Sequence, residues 1–135
     1  MSFKIKNSQL SNETLAVLTQ LIDMDINATA AFKLSRIIKV ISSVTEDKLK
    51  MEKKIYEKWV SRDENGNPIV PLDKDGNKMK GSVSISDVDS FSKEMKELMD
   101  TETEVPYDKI NFEDLKLQNT VKVKDMIKIE FLFLD

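Results

Sequence analysis

From residue 28 to residue 60 the chain contains neither glycine nor proline, and its apolar residues recur at helical spacing. Leu34, Ile37, Ile41, Val44, Met51, Ile55 and Trp59 step by threes and fours, with Lys48 the one gap in the stripe. That pattern predicts a single helix about 50 Å long at 1.5 Å per residue. Its first half also carries Phe32, Ile38 and Val40, an apolar face wide enough for a packed core. In the second half the stripe narrows, and residues 46–58 are mostly Lys and Glu, as on a solvated coiled-coil arm. Ser42-Ser43 offers a place for a bend. Lys48 reads as a lysine snorkelling from the seam, or as a buried lysine of lowered pKa suited to catalysis.

All three glycines and two of the three prolines crowd into residues 66–81. Asp63-Glu64-Asn65-Gly66 and Asp75-Gly76 are turn signatures. Around them lie Ile69-Val70 and the alternating Ser82-Val83-Ser84-Ile85, so this stretch reads as a β-hairpin or an irregular loop. Ser86 with Asp89 then resembles a capping box, and Val88, Phe91, Met95 and Leu98 form a second apolar stripe reaching about residue 100. Residues 87–104 hold seven acidic side chains and two lysines, whereas residues 33–62 hold nine basic and four acidic ones. Such flanks favour an antiparallel pairing of the two helices over self-association of either.

The ends close the fold. Phe3-Lys4-Ile5-Lys6 alternates like a half-buried strand, and Ser11 can cap a helix to Asp23 with Leu15, Leu18, Leu21 and Ile22 on one face. Asn27 is a suitable cap for the long helix. Residues 104–107 and 110–115 look extended, and either can pair with the N-terminal strand. Residues 121–134 read as a short helix after Lys124-Asp125, with a strand as the alternative. The expected architecture is α+β, mainly helical. A long antiparallel helical hairpin (helix 28–60, return helix 87–100) carries a β-hairpin or loop tip at 61–86. A small helical base, with a short N-terminal strand and a C-terminal segment over 104–135, completes a single domain over residues 1–135.

Composition removes most catalytic chemistries. With no histidine and no cysteine, neither a Ser-His-Asp nor a Cys-His arrangement can form, and thiolate metal sites and disulfides are out. A carboxylate pair, a lysine nucleophile or an all-oxygen metal site remain. The glycines are spaced for neither common nucleotide loop, so no cofactor is expected. With Gly66 or Gly76 at the sixth position of a calcium loop, the first ligand would be Ser61 or Pro71 and the twelfth Leu72 or Ser82, which does not suit calcium. Asp87, Asp89, Glu94 and Glu97 fall on the polar face of an amphipathic helix, where solvation explains them better than a general acid–base pair or a magnesium site. An enzyme is not expected. The net charge of −3 divides into +4 over residues 1–62 (11 Lys/Arg against 7 Asp/Glu) and −7 over 63–135 (10 against 17). The basic part is thus matched by an acidic one, and nucleic acid is not an expected partner. Residues 1–10 lack the apolar core of a signal peptide, and the longest apolar run is four residues, so neither export nor a membrane is expected.

What remains is protein binding. Trp59, with Tyr56 and Phe91, suits an interface hot spot next to Ile69 and Val70, or a satellite core under the tip. Phe131, Leu132, Phe133 and Leu134 are apolar on every side, hence either buried in the domain or a docking segment covered by a neighbouring subunit.

The layout also resembles a known group. Lys-Ile-Lys-Asn near the start and Ala-Phe-Lys-Leu-Ser-Arg-Ile-Ile-Lys lead into a Lys/Glu arm. Then follow Arg-Asp-Glu-Asn-Gly-Asn-Pro, Asp-Lys-Asp-Gly-Asn and Phe-Ser-Lys-Glu-Met-Lys-Glu-Leu-Met. Over most of its length the chain is similar to a family of short, functionally uncharacterised proteins encoded by tailed bacteriophages. The resemblance brings no catalytic residues. It implies a virion structural or assembly component, bound to other phage proteins or to its own copies. The alternative is an inhibitor of a host enzyme or defence system. Either would act in the host bacterial cytoplasm, the first also within the virion.

Overall fold

Short polar caps decide where the first two helices begin. The computed structural model describes residues 1–79, 81–117 and 120–134. In α1 (Asn12–Asp23) the Thr14 amide donates to Ser11 Oγ at 3.1 Å. In α2 (Ala28–Trp59) the Thr29 and Ala30 amides donate to Asn27 Oδ1 at 3.1 and 3.2 Å. Each cap satisfies amides that the first turn of a helix leaves without a carbonyl. α2 runs unbroken over its 32 residues. The remaining helices are α3 (Val88–Asp100) and α4 (Val123–Ile129), and β1 (Phe3–Lys6) pairs with β2 (Glu102–Val105). The fold is α+β and mainly helical.

The chain forms two compact units, Met1–Lys48 with Met99–Asp135, and Leu49–Leu98. The first unit holds the hydrophobic core. β1 and β2 are antiparallel, with Phe3 opposite Val105 and Ile5 opposite Thr103. Ile5 and Val105 face inward while Lys4 and Lys6 face water, as the alternation predicts. Leu18 and Leu21 of α1, Leu34, Ile37 and Ile41 of α2, and Ile129 of α4 are fully buried with them. Burial of an aliphatic side chain this size contributes about 1.5–3 kcal/mol. The strand pairing starts two residues before the stretch expected to be extended. Residues 110–115 do not pair with β1: Ile110 instead forms a parallel bridge to Phe133, and Phe112–Leu115 is a 3₁₀ turn. The 121–134 stretch takes its helical reading over Val123–Ile129, followed by the 3₁₀ turn Glu130–Leu132.

Two inward positions of α2 depart from the apolar pattern. After Ile41 the buried stripe continues through Thr45 rather than Val44, which is half-buried. A helix of 3.6 residues per turn favours a step of four there. Among the described residues Thr45 Oγ1 is buried without a hydrogen-bond partner. Lys48 does not snorkel: it is 9% exposed, and its ammonium donates to the Leu10 carbonyl. Phe32, expected in the core, is instead 64% exposed and lies against the Arg36 guanidinium.

The second unit is built on local turns. Val60 and Ile85 form an antiparallel bridge, and the Ser86 amide and hydroxyl both donate to the Trp59 carbonyl at 2.7 and 2.9 Å, closing the end of α2. The Ser86 side chain is turned toward α2, and the start of α3 is capped by Asp87, which accepts from the Ser90 amide and hydroxyl. The capping motif thus sits one residue later than the Ser86–Asp89 spacing suggests.

Between the helices lie two loops of one design. In the first, the Asp63 side chain accepts from the Asn65 and Asn67 amides, Arg62 bridges Pro68, and the Ile69 amide donates to Ser61. In the second, the Asp73 side chain accepts from the Asp75 and Asn77 amides, Leu72 bridges Lys78, and the Met79 amide donates to Pro71. Each of these contacts recurs ten residues on, as from Asp63 to Asp73, whereas the Arg62 guanidinium bond to the Gly66 carbonyl has no counterpart at Leu72. Gly66 and Gly76 take φ of +82° and +83°, open to glycine without strain.

Candidate protein-docking surface

α3 has the most strongly segregated apolar stripe in the chain, yet it contains no buried residue. Phe91, Met95 and Leu98 are half-buried and Val88 is 62% exposed. A short helix in water owes most of its stability to covering such a stripe. In the same unit Leu49, Met51, Ile69, Leu72 and Met79 are exposed, Leu72 by 61%. Only Val60 is buried there among apolar side chains of the described residues. The second unit therefore leaves a large share of its apolar side chains exposed or only half-buried.

Trp59 is held where α2 and α3 meet. Its indole N–H donates to Glu94 Oε2 at 3.0 Å, and Lys58 Nζ reaches Glu94 Oε1 at 2.5 Å while lying 5.0 Å from the indole ring centre. The Lys58 hydrogen bond and then that of Trp59 hold the Glu94 carboxyl below its ordinary pKa. The Ser90 amide and hydroxyl do the same for Asp87. A general acid near neutral pH needs a pKa shifted upward, so both carboxylates are displaced in the wrong direction for that task. Asp63 and Asp73 are engaged by backbone amides, as turn chemistry requires. Among the described residues no three acidic side chains converge as a cation site.

The candidate residues from the sequence divide between the units. Tyr56 and Trp59 are half-buried, Ile69 is exposed and Val70 is half-buried, all in the second unit. No ring stacking joins Tyr56, Trp59 and Phe91; the ring pair found among the described residues is Phe112 with Phe133, edge to face at 5.2 Å. Leu132 and Phe133 are buried in the core of the first unit, Phe131 is half-buried against it, and only Leu134 is exposed, by 57%. The all-apolar segment is thus mostly internal. Sequence reasoning missed Leu72, Met79 and Val88 as exposed residues. The signal was the imbalance between a full stripe on α3 and a thin one over residues 49–59.

No known protein family matches this chain, and neither a curated protein nor a solved structure is significantly similar to it. The likeness to phage proteins therefore rests on layout and turn phrases alone. No helix among the described residues is long and apolar enough to cross a membrane.

Proposed function

We propose that the chain is a non-enzymatic protein-binding module whose second unit docks a partner through the α3 stripe and the twin loops. The observation that carries this reading is the strongly amphipathic α3 with no buried residue. Asp89 is exposed beside Val88 at the start of the stripe, so the fitting partner offers an apolar groove or helix face with Lys or Arg at that edge. The resemblance supports placing the module in a tailed-phage particle or its assembly, with other phage structural proteins as partners. Capture of a host enzyme by the same surface is the alternative.

The test compares tagged wild type with a Val88→Asp/Leu98→Asp variant recovered from infected host cells and analysed by mass spectrometry. Virion proteins retained by wild type and lost by the variant, with unchanged circular dichroism, support the assembly reading. A single host enzyme lost in the same way makes the protein an inhibitor. Identical capture by both proteins refutes the docking surface.

A further inference from the structure

The first unit contains a cleft of about 1000 Å³ between the start of α2 and residues 106–116. Lys33, Arg36, Lys109 and Lys116 line it, and none of the four has an acidic side chain within ion-pair distance among the described residues. Two carboxylates share the lining, Asp108 and Asp114, and Asp108 is paired with the Met1 amine at 3.2 Å. The cleft is therefore cationic, although the protein as a whole carries −3.

Arg36 is the cation of this cleft that meets two aromatic rings. The guanidinium carbon lies 4.9 Å from the Tyr107 ring centre and 5.5 Å from that of Phe32. Contact with two rings restrains the guanidinium through its face and leaves the N–H edge free to form paired hydrogen bonds to a carboxylate or phosphate. Lys109 Nζ lies 5.8 Å from the Phe3 ring centre, so a second cation is placed beside an aromatic wall. Four cations with no acidic partner among the described residues line one concavity with aromatic walls, and an anion entering it offsets their mutual repulsion.

We propose that this cleft binds the oxyanion of a ligand with an apolar or aromatic body, Arg36 gripping the oxyanion and Tyr107 and Phe3 flanking the body. Carboxylate and phosphate share the required chemistry. The inference does not depend on the docking surface, which belongs to the second unit.

The experiment is a titration of the isotope-labelled protein with phenyl phosphate, phenylacetate, inorganic phosphate and benzyl alcohol, followed by amide and Arg36 Nε–H shifts. Expected are saturable shifts confined to the cleft for the two aromatic anions, and the tighter of these identifies the group preferred. Arg36→Gln should weaken binding at least about tenfold, and Arg36→Lys should recover only part of it, because the paired hydrogen bonds are lost. Lys33→Gln/Lys116→Gln gives an independent variant on exposed positions should Arg36→Gln perturb the fold. Binding of inorganic phosphate as tight as phenyl phosphate would overturn the role of the aromatic walls. Equal binding of benzyl alcohol, or no saturation up to about 10 mM of either aromatic anion, would overturn the site.

Discussion

Replacing Thr45 with valine should make the protein more stable, the opposite of the usual result in a core. Thr45 is 1% exposed, and its hydroxyl has no protein partner among the described residues. In a helix such a hydroxyl ordinarily donates to the carbonyl four residues back, here Ile41. Leaving a buried hydroxyl unsatisfied costs about 1–3 kcal/mol, because in the unfolded chain water satisfies it. Valine has nearly the same shape and helix propensity, and it replaces the hydroxyl by a methyl that gains from burial. The net expectation is a gain of about 1–2 kcal/mol, or a rise in Tm of about 4 °C or more. Guanidinium unfolding followed by circular dichroism measures it, with an unchanged m value as the control. Thr45→Ser keeps the hydroxyl and deletes the methyl, so it should cost about 1 kcal/mol. If Thr45→Val destabilises instead, the hydroxyl makes a hydrogen bond in solution and the argument fails.

The twin loops and the Glu94 cluster give two more expectations. Gly66→Ala and Gly76→Ala meet no neighbouring atom, so each should cost only the left-handed backbone penalty of about 1 kcal/mol, and the double variant their sum; a much larger loss in thermal unfolding would reveal contacts these positions lack. Lowered carboxyl pKa values at Glu94 and Asp87 mean that the native state holds these groups ionised more strongly than the unfolded chain. Their stabilisation is present above the ordinary values of 4.5 and 3.8, and is lost as pH falls below them through the lowered folded values. Trp59 fluorescence against pH should report that loss, and Glu94→Gln should flatten most of the change; an unchanged acid transition in that variant would contradict the Glu94 geometry.

Periodicity and capping made the helices legible. Residues 28–60 could form little else, and Ser11 and Asn27 mark their helix starts by side-chain chemistry that acts within three residues. What the pattern left open depended on long-range packing. Val44 and Thr45 both suit the inward step after Ile41, and only the surrounding core chooses between them. The apolar run at 131–134 reads the same whether buried or exposed, because continuous hydrophobicity has no period to orient it. Asp87 takes the cap in place of Ser86, whose amide and hydroxyl are both turned toward the Trp59 carbonyl, a partner 27 residues distant. The ten-residue repeat of Asp-x-x-Gly-Asn was visible as letters, and its meaning came from the matching hydrogen bonds. The cationic cleft was hidden by bookkeeping on whole segments: acidic residues balance the basic ones along the chain but do not meet them at Lys33, Arg36 and Lys116.

The two loops are not equally rooted. Ser61 and Ile69 of the first exchange hydrogen bonds with Ser84, whereas the second closes on itself between Pro71 and Met79. An in-frame deletion or duplication of the second loop therefore alters neither the pairing that joins Ser61 to Ser84 nor the helices beyond it. Length at this point should be adjustable in steps of ten residues without unseating the frame that Ser61 and Ser84 close.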